Sequence, residues 1–184
     1  MNPRARTVLV LLMACCAAVA MRLGGTLPNV TAVGALALYA GSRFGPLVGW
    51  IPALAVMAGT DLLIEQMTGW PGFNRSVYAC YVLDALLGWA LIRRTTALRI
   101  GGTAFLSALQ FYLITNFFVW YRVAHSPYPD YPDSLGGLIA CYVAGLPFFG
   151  YTLLGNFGFC AAIFGTDALL ARVAVPVPAE SPAR

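Results

Sequence analysis

The sequence predicts an all-α integral membrane bundle of six transmembrane helices with both termini cytoplasmic. Three observations carry that expectation. The chain of 184 residues is 60% hydrophobic and only 10% charged, where a soluble domain is about 45–50% apolar and about 25% charged. Its mean hydropathy is +0.76. The apolar residues fall into runs near the length of about 20 residues that a membrane-crossing helix needs, with polar breaks between them. This composition excludes an ordinary soluble protein, a disordered chain and a nucleic-acid module. The net charge of +4 rests on eleven arginines and no lysine, spread along the chain, so it is no nucleic-acid footprint.

Segment one runs from about Thr7 to Gly24. Arg4 and Arg6 precede its apolar run, which resembles a secretory signal peptide; we read it as the first membrane helix. Segment two, about Val30–Arg43, is short and rich in small residues, and Gly45-Pro46 punctuates the turn after it. Segment three covers about Leu47–Gln66, and a polar Gly/Pro-bearing loop follows to Arg75. Segment four is about Val77–Ile92 and stops at Arg93-Arg94; segment five is about Ile100–Val123. Residues 124–134 hold Pro127, Pro129 and Pro132 and read as a loop. The apolar stretch from Leu135 is expected to break near Pro147 and Gly150, giving a short or re-entrant helix and then a final span, about Phe148–Arg172. The whole reads as one transmembrane domain, residues 1–173, with a disordered Pro-rich tail, residues 174–184.

Six spans place both termini on one side, and the positive-inside rule chooses which. A cytoplasmic N-terminus puts Arg4, Arg6, Arg43, Arg93, Arg94, Arg99, Arg172 and Arg184 inside, and Arg22, Arg75 and Arg122 outside. The longer loops, about 23–29, 67–76 and 124–134, then face outward and carry the aromatic, Pro, Gly and Asp residues. A ligand site open to the outside follows. Trp70, Phe73, Tyr78, Tyr121, Tyr128 and Tyr131 fit an interfacial belt or the mouth of such a site.

Polar groups at membrane depth are costly and so are functional candidates. Asp61 falls near the outer end of segment three. Cys80 and Asp84 fall on segment four at a four-residue spacing, which sets them one turn apart on one helical face. Asn116 lies in segment five and Asn156 in segment six, where interhelical bonding is the plain alternative. Asp167, one turn from Arg172, reads as structural. The five cysteines are odd in number, show no CxxC and lie mostly in apolar runs, so each is by default a small buried residue. His125 reads as solvated. Ala14-xxx-Ala18 and Ala37-xxx-Gly41 are small-residue pairs that permit close helix approach. There is no P-loop, no HExxH and no Ser-His-Asp set.

Four stretches carry a family resemblance. Leu27-Pro-Asn-Val-Thr-Ala-Val-Gly-Ala-Leu-Ala-Leu-Tyr-Ala-Gly41 resembles a signature of small six-helix bacterial transport proteins. Thr115-Asn-Phe-Phe-Val-Trp120, the run Gly137–Phe149 and Thr152-Leu-Leu-Gly-Asn156 look like its later signatures. These proteins are related to the S-components of energy-coupling-factor (ECF) vitamin transporters. Within that group the chain most resembles the BtuM-type vitamin B12 transporters, over about Arg22 to Arg172. It departs from the pattern where Thr26-Leu27, Gly150 and Asn156 stand in place of a His, an Arg and an Asp, and ligand contacts by those groups are not carried over.

The resemblance implies an S-component-like fold in a bacterial inner membrane and uptake of cobalamin, with no intrinsic cofactor. It implies that Cys80 ligates the cobalt of the bound substrate and promotes decyanation of cyanocobalamin. A soft thiolate suits such a metal. Asn29, Thr31, Asp61, Tyr81, Asp84 and Asn116 are the candidates for the pocket wall. Partners would be cobalamin, the lipid bilayer, and a periplasmic delivery protein or an ECF module docking at Ala14 and Ala18; nucleic acid is not among them. The alternatives are an S-component for another vitamin or metal chelate, a non-transport subunit of a membrane complex, and a thiol-dependent membrane enzyme.

Overall fold

The computed structural model describes residues 1–24, 27, 29–69, 71–127 and 130–173. The tail expected to be disordered, and the belt positions Trp70 and Tyr128, lie outside the described residues. Six helices follow one another: α1 (Pro3–Leu23), α2 (Val33–Phe44), α3 (Ile51–Thr68), α4 (Arg75–Leu91), α5 (Ala97–Ala124) and α6 (Leu135–Val173). Among the described residues there is no strand.

The helix starts are written locally. The Asn2 side chain accepts from the Arg4 amide at 2.9 Å and Pro3 opens α1, an N-cap followed by a residue with no amide to lose. Asn74 caps α4 through the Ser76 amide at 3.1 Å, and the Thr96 side chain accepts from the Arg99 amide at 3.4 Å at the head of α5. Helix α3 ends at Gly69, whose φ of 72° gives the left-handed turn that closes a helix at low cost in glycine.

Helix α2 is the axis of the bundle. Every residue from Val33 to Gly41 is buried. At 12 residues it is about 18 Å long, short of the roughly 30 Å of a hydrocarbon core. Helices α1, α5 and α6 are long and apolar enough to cross a membrane. They carry many exposed apolar side chains, among them Leu12, Leu113, Leu146 and Leu154.

Helices α2 and α4 approach most closely where glycines face backbone. A Cβ on Gly41 would overlap the Ala85 carbonyl, and one on Gly88 the Leu38 carbonyl. The Ala37-xxx-Gly41 pair thus serves an internal contact. Ala14 and Ala18 are buried in the core as well, so the expected docking face for an ECF module is covered by the chain itself.

The expected break near Pro147 is absent: α6 runs unbroken through 39 residues with Pro147 inside it. Proline removes one amide donor, which leaves the carbonyl of Val143 without its helical partner. The neighbouring turn is held from outside, where the Tyr112 hydroxyl donates to the Tyr142 carbonyl at 2.6 Å and the Tyr142 hydroxyl to the Leu113 carbonyl at 2.8 Å.

Candidate functional site

A cavity of about 320 Å³ opens between the C-terminal end of α1, the start of α2, and helices α3, α4, α5 and α6. Arg22, Asn29 and Asn74 lie at its loop-side end; Tyr81, Phe111 and Gly34 form its sides. The rings of Tyr81 and Phe111 pack at 5.7 Å between centroids. Its polar floor is made by Asp84, Ser107 and Asn156, which are 1%, 0% and 5% exposed.

The floor holds two sets of hydrogen bonds. Gln110 Nε2 donates to the Cys80 carbonyl at 3.2 Å and to Asp84 Oδ1 at 3.0 Å. Asn156 Nδ2 donates to the Ala104 carbonyl at 3.4 Å and to Ser107 Oγ at 2.8 Å. These bonds tie α4 to α5 and α5 to α6. Asp84 has no cationic partner among the described residues; the ion pairs there are Arg6–Asp167, Arg22–Asp61, Arg43–Asp167 and His125–Asp133.

At the loop side, Arg22 Nη2 pairs with Asp61 Oδ1, and Arg22 Nε donates to Thr60 Oγ1 at 2.6 Å. The Tyr78 hydroxyl donates to Asp61 Oδ2 at 2.7 Å. Both Asp61 oxygens are therefore occupied, and Gly72 leans so closely on this carboxylate that a Cβ there would meet the Asp61 side chain at 2.9 Å. At the opposite end of the bundle Asp167 pairs with Arg6 at 2.8 Å and Arg43 at 2.6 Å, not with Arg172.

The structure brings Asn29, Thr31, Tyr81 and Asp84 together around this cavity. Thr31 Oγ1 also accepts from the Val33 amide at 3.0 Å. Asp61 does not line the cavity; it holds Arg22, which does. Asn116 lies in an adjoining cavity of about 380 Å³ that shares Asn29, Val77 and Phe111 with the first. Its Nδ2 donates to the Tyr112 carbonyl of its own helix at 2.9 Å, so its amino group is no interhelical tie. Cys80 is fully buried and absent from the wall of either cavity. Val77, Tyr81 and Asp84 recur at spacings of four and three and form the cavity-facing stripe of α4; Cys80 lies beside that stripe.

Sequence reasoning missed Arg22, Ser107 and Gln110, and set Asn156 among the plain interhelical bonds. Asn156 makes such bonds and lines the cavity too. A signal for the other two was present: Thr103, Ser107 and Gln110 repeat at helical spacing on an otherwise apolar segment.

The fold and site define a class: an all-helical bundle, three of its helices apolar enough to cross a membrane, with a polar-floored cavity between helices near one end. The chain belongs to the family of unknown function DUF6580, which it matches over residues 2–179. No curated protein and no solved structure matches it.

Proposed function

We propose that this chain is a multi-pass membrane protein that captures a small solute for uptake, in the manner of an S-component, within the cavity floored by Asp84. The observation that supports this reading most is that cavity. It is of the size that takes vitamin-like ligands, with aromatic sides and a few convergent polar groups. In this reading the chain crosses the bacterial inner membrane six times, the short α2 doing so enclosed by the other helices, the ends carrying Arg6 and Asp167 face the cytoplasm, and the Arg22 end faces outward. The distribution of arginines supports that orientation.

Cobalamin is the cargo that the BtuM resemblance favours. A corrin needs more room than about 320 Å³, and cobalt ligation by Cys80 needs the buried thiol to reach the cavity. Its capture therefore requires the α4–α5 contact at Cys80 and Gln110 to open. A smaller vitamin or chelate needs no such movement, and the closed geometry favours it.

Binding by purified protein in detergent tests the reading, against a panel of vitamins, metal chelates and cyanocobalamin. Saturable binding of one member, lost in Thr152→Trp, is the expected result, because Thr152 lines the cavity and an indole there obstructs it. For cyanocobalamin, a shift of the visible corrin bands that disappears in Cys80→Ala assigns the thiol to cobalt. No affinity for any member, with a protein partner that co-purifies, favours the non-transport subunit instead.

A further inference from the structure

The hydrogen bonds of the floor fix which atoms it offers to a ligand. A backbone carbonyl only accepts. Asn156 must therefore turn its Nδ2 to the Ala104 carbonyl, and Gln110 its Nε2 to the Cys80 carbonyl. Both amide orientations follow from chemistry. Their donor groups are engaged, and what remains is oxygen. Asn156 Oδ1 has no partner among the described residues and lies against the cavity-lining Gly34, where a Cβ would meet it at 2.6 Å. Gln110 Oε1 is also unpartnered, but it is buried behind the cavity wall and is not offered to a ligand. Asp84 is a carboxylate 1% exposed, bonded to Gln110 and beside Ser107.

The cation closest in role is Arg22, which shares the cavity wall, but it is already held by Asp61 and Thr60. The wall therefore carries one carboxyl group with no cationic side chain paired to it, beside an amide oxygen that has no donor. A carboxyl buried without a partner ionises only at a cost that an arriving cation offsets, and an unmet acceptor loses its hydration on burial. A ligand that brings positive charge and several N–H donors meets all of these demands at once.

We propose that the Asp84 floor is a subsite for an organic cation, an ammonium or amidinium group of the cargo, held by Asp84 and Asn156 Oδ1. This deepens the reading of the cavity as the cargo site and rests on it. The rest of the cargo lies against the packed pair Tyr81 and Phe111, which forms one side of the cavity. Amidinium groups suit the floor because their planar N–H donors reach two oxygens side by side.

Three probes of one shape and different charge test it: benzamidine (cationic), benzamide (neutral) and benzoate (anionic). Affinities are measured calorimetrically on the purified full chain in detergent at pH 7. Benzamidine is expected to bind about tenfold or more tighter than benzamide, and benzoate weakest. The order among the probes needs no variant, so it stands even where a substitution impairs folding. Asp84→Asn, close in shape, is expected to bring benzamidine within about twofold of benzamide. Thr152→Trp should remove binding of all three. Equal affinities, or a preference for benzoate, that Thr152→Trp still abolishes would overturn the cationic subsite and leave the cavity standing as a ligand site. Benzamidine binding that persists unchanged in Asp84→Asn also overturns it, as does failure of all three probes at millimolar concentration; the cargo panel then judges the cavity separately.

Discussion

Asp61 shows what a single buried charge does in this bundle. Its side chain is 6% exposed and that of Arg22 is 15% exposed, so water screens the pair little. Thr60 and Tyr78 complete the hydrogen bonds around it. Removing one partner leaves the other buried and unpaired, which costs about 3–5 kcal/mol, whereas replacing both with apolar groups of similar volume is near neutral. Asp61→Ala is accordingly expected to destabilise the protein by about 3 kcal/mol or more, seen as a lower denaturation midpoint in detergent. Arg22→Met combined with Asp61→Leu should recover most of that loss. A double variant as unstable as the single one would mean that the cluster contributes more than its internal pairing. Asp61 was legible as a costly carboxylate in an apolar segment. Its partner was not, because Arg22 and Asp61 are brought together from different helices and sequence spacing carries no information across them.

At the scale of helices, glycine makes the close contact of α2 with α4 possible. Gly41→Ala and Gly88→Ala both push a methyl into a facing backbone carbonyl, which cannot move aside as a flexible side chain does. Overpacking of this kind costs about 1–3 kcal/mol. Gly150 lies on α6 with nothing within 4 Å of a Cβ there, so Gly150→Ala should stabilise by about 0.5–1 kcal/mol through helix propensity alone. Opposite signs for the two kinds of substitution, measured by denaturant titration in the same detergent, check the packing. The helix boundaries were legible to within a few residues, because caps and apolar run lengths are local. The unbroken α6 was not. Pro147 is a local signal for a break, whereas the packing of α5 on α6, with its two tyrosine-to-carbonyl bonds a turn before the proline, is tertiary and has no local signal. Cys80 teaches the same lesson. Its four-residue spacing from Asp84 fixes a shared face, yet Val77, Tyr81 and Asp84 are what that helix shows to the cavity.

Over the whole molecule the two ionic clusters define opposite ends. Arg6 and Arg22 both lie on α1, sixteen residues apart, which is about 24 Å along a helix. Asp167 and Arg43 join the first, and Asp61, Thr60 and Tyr78 the second. The slab between them approaches the roughly 30 Å of a bilayer's hydrocarbon core, and exposed Leu12, Leu146 and Leu154 lie on the helices that cross it. Trp50 and Trp89 fall towards the Arg43 end and Trp120 towards the other, as an interfacial belt requires. If the slab is a membrane, two exposed positions near its opposite faces must differ in access from outside. Arg94 follows α4, and His125 follows α5 and is 48% exposed. Single cysteines placed by Arg94→Cys and His125→Cys in a chain otherwise cleared of cysteine are expected to react differently with an impermeant maleimide in intact bacterial cells. His125→Cys should label and Arg94→Cys should label only after lysis. The reverse pattern would invert the orientation and turn the Asp84 cavity towards the cytoplasm, which is the wrong side for uptake. Labelling of both in intact cells would mean that no membrane separates them, and the six-span reading would fall with it.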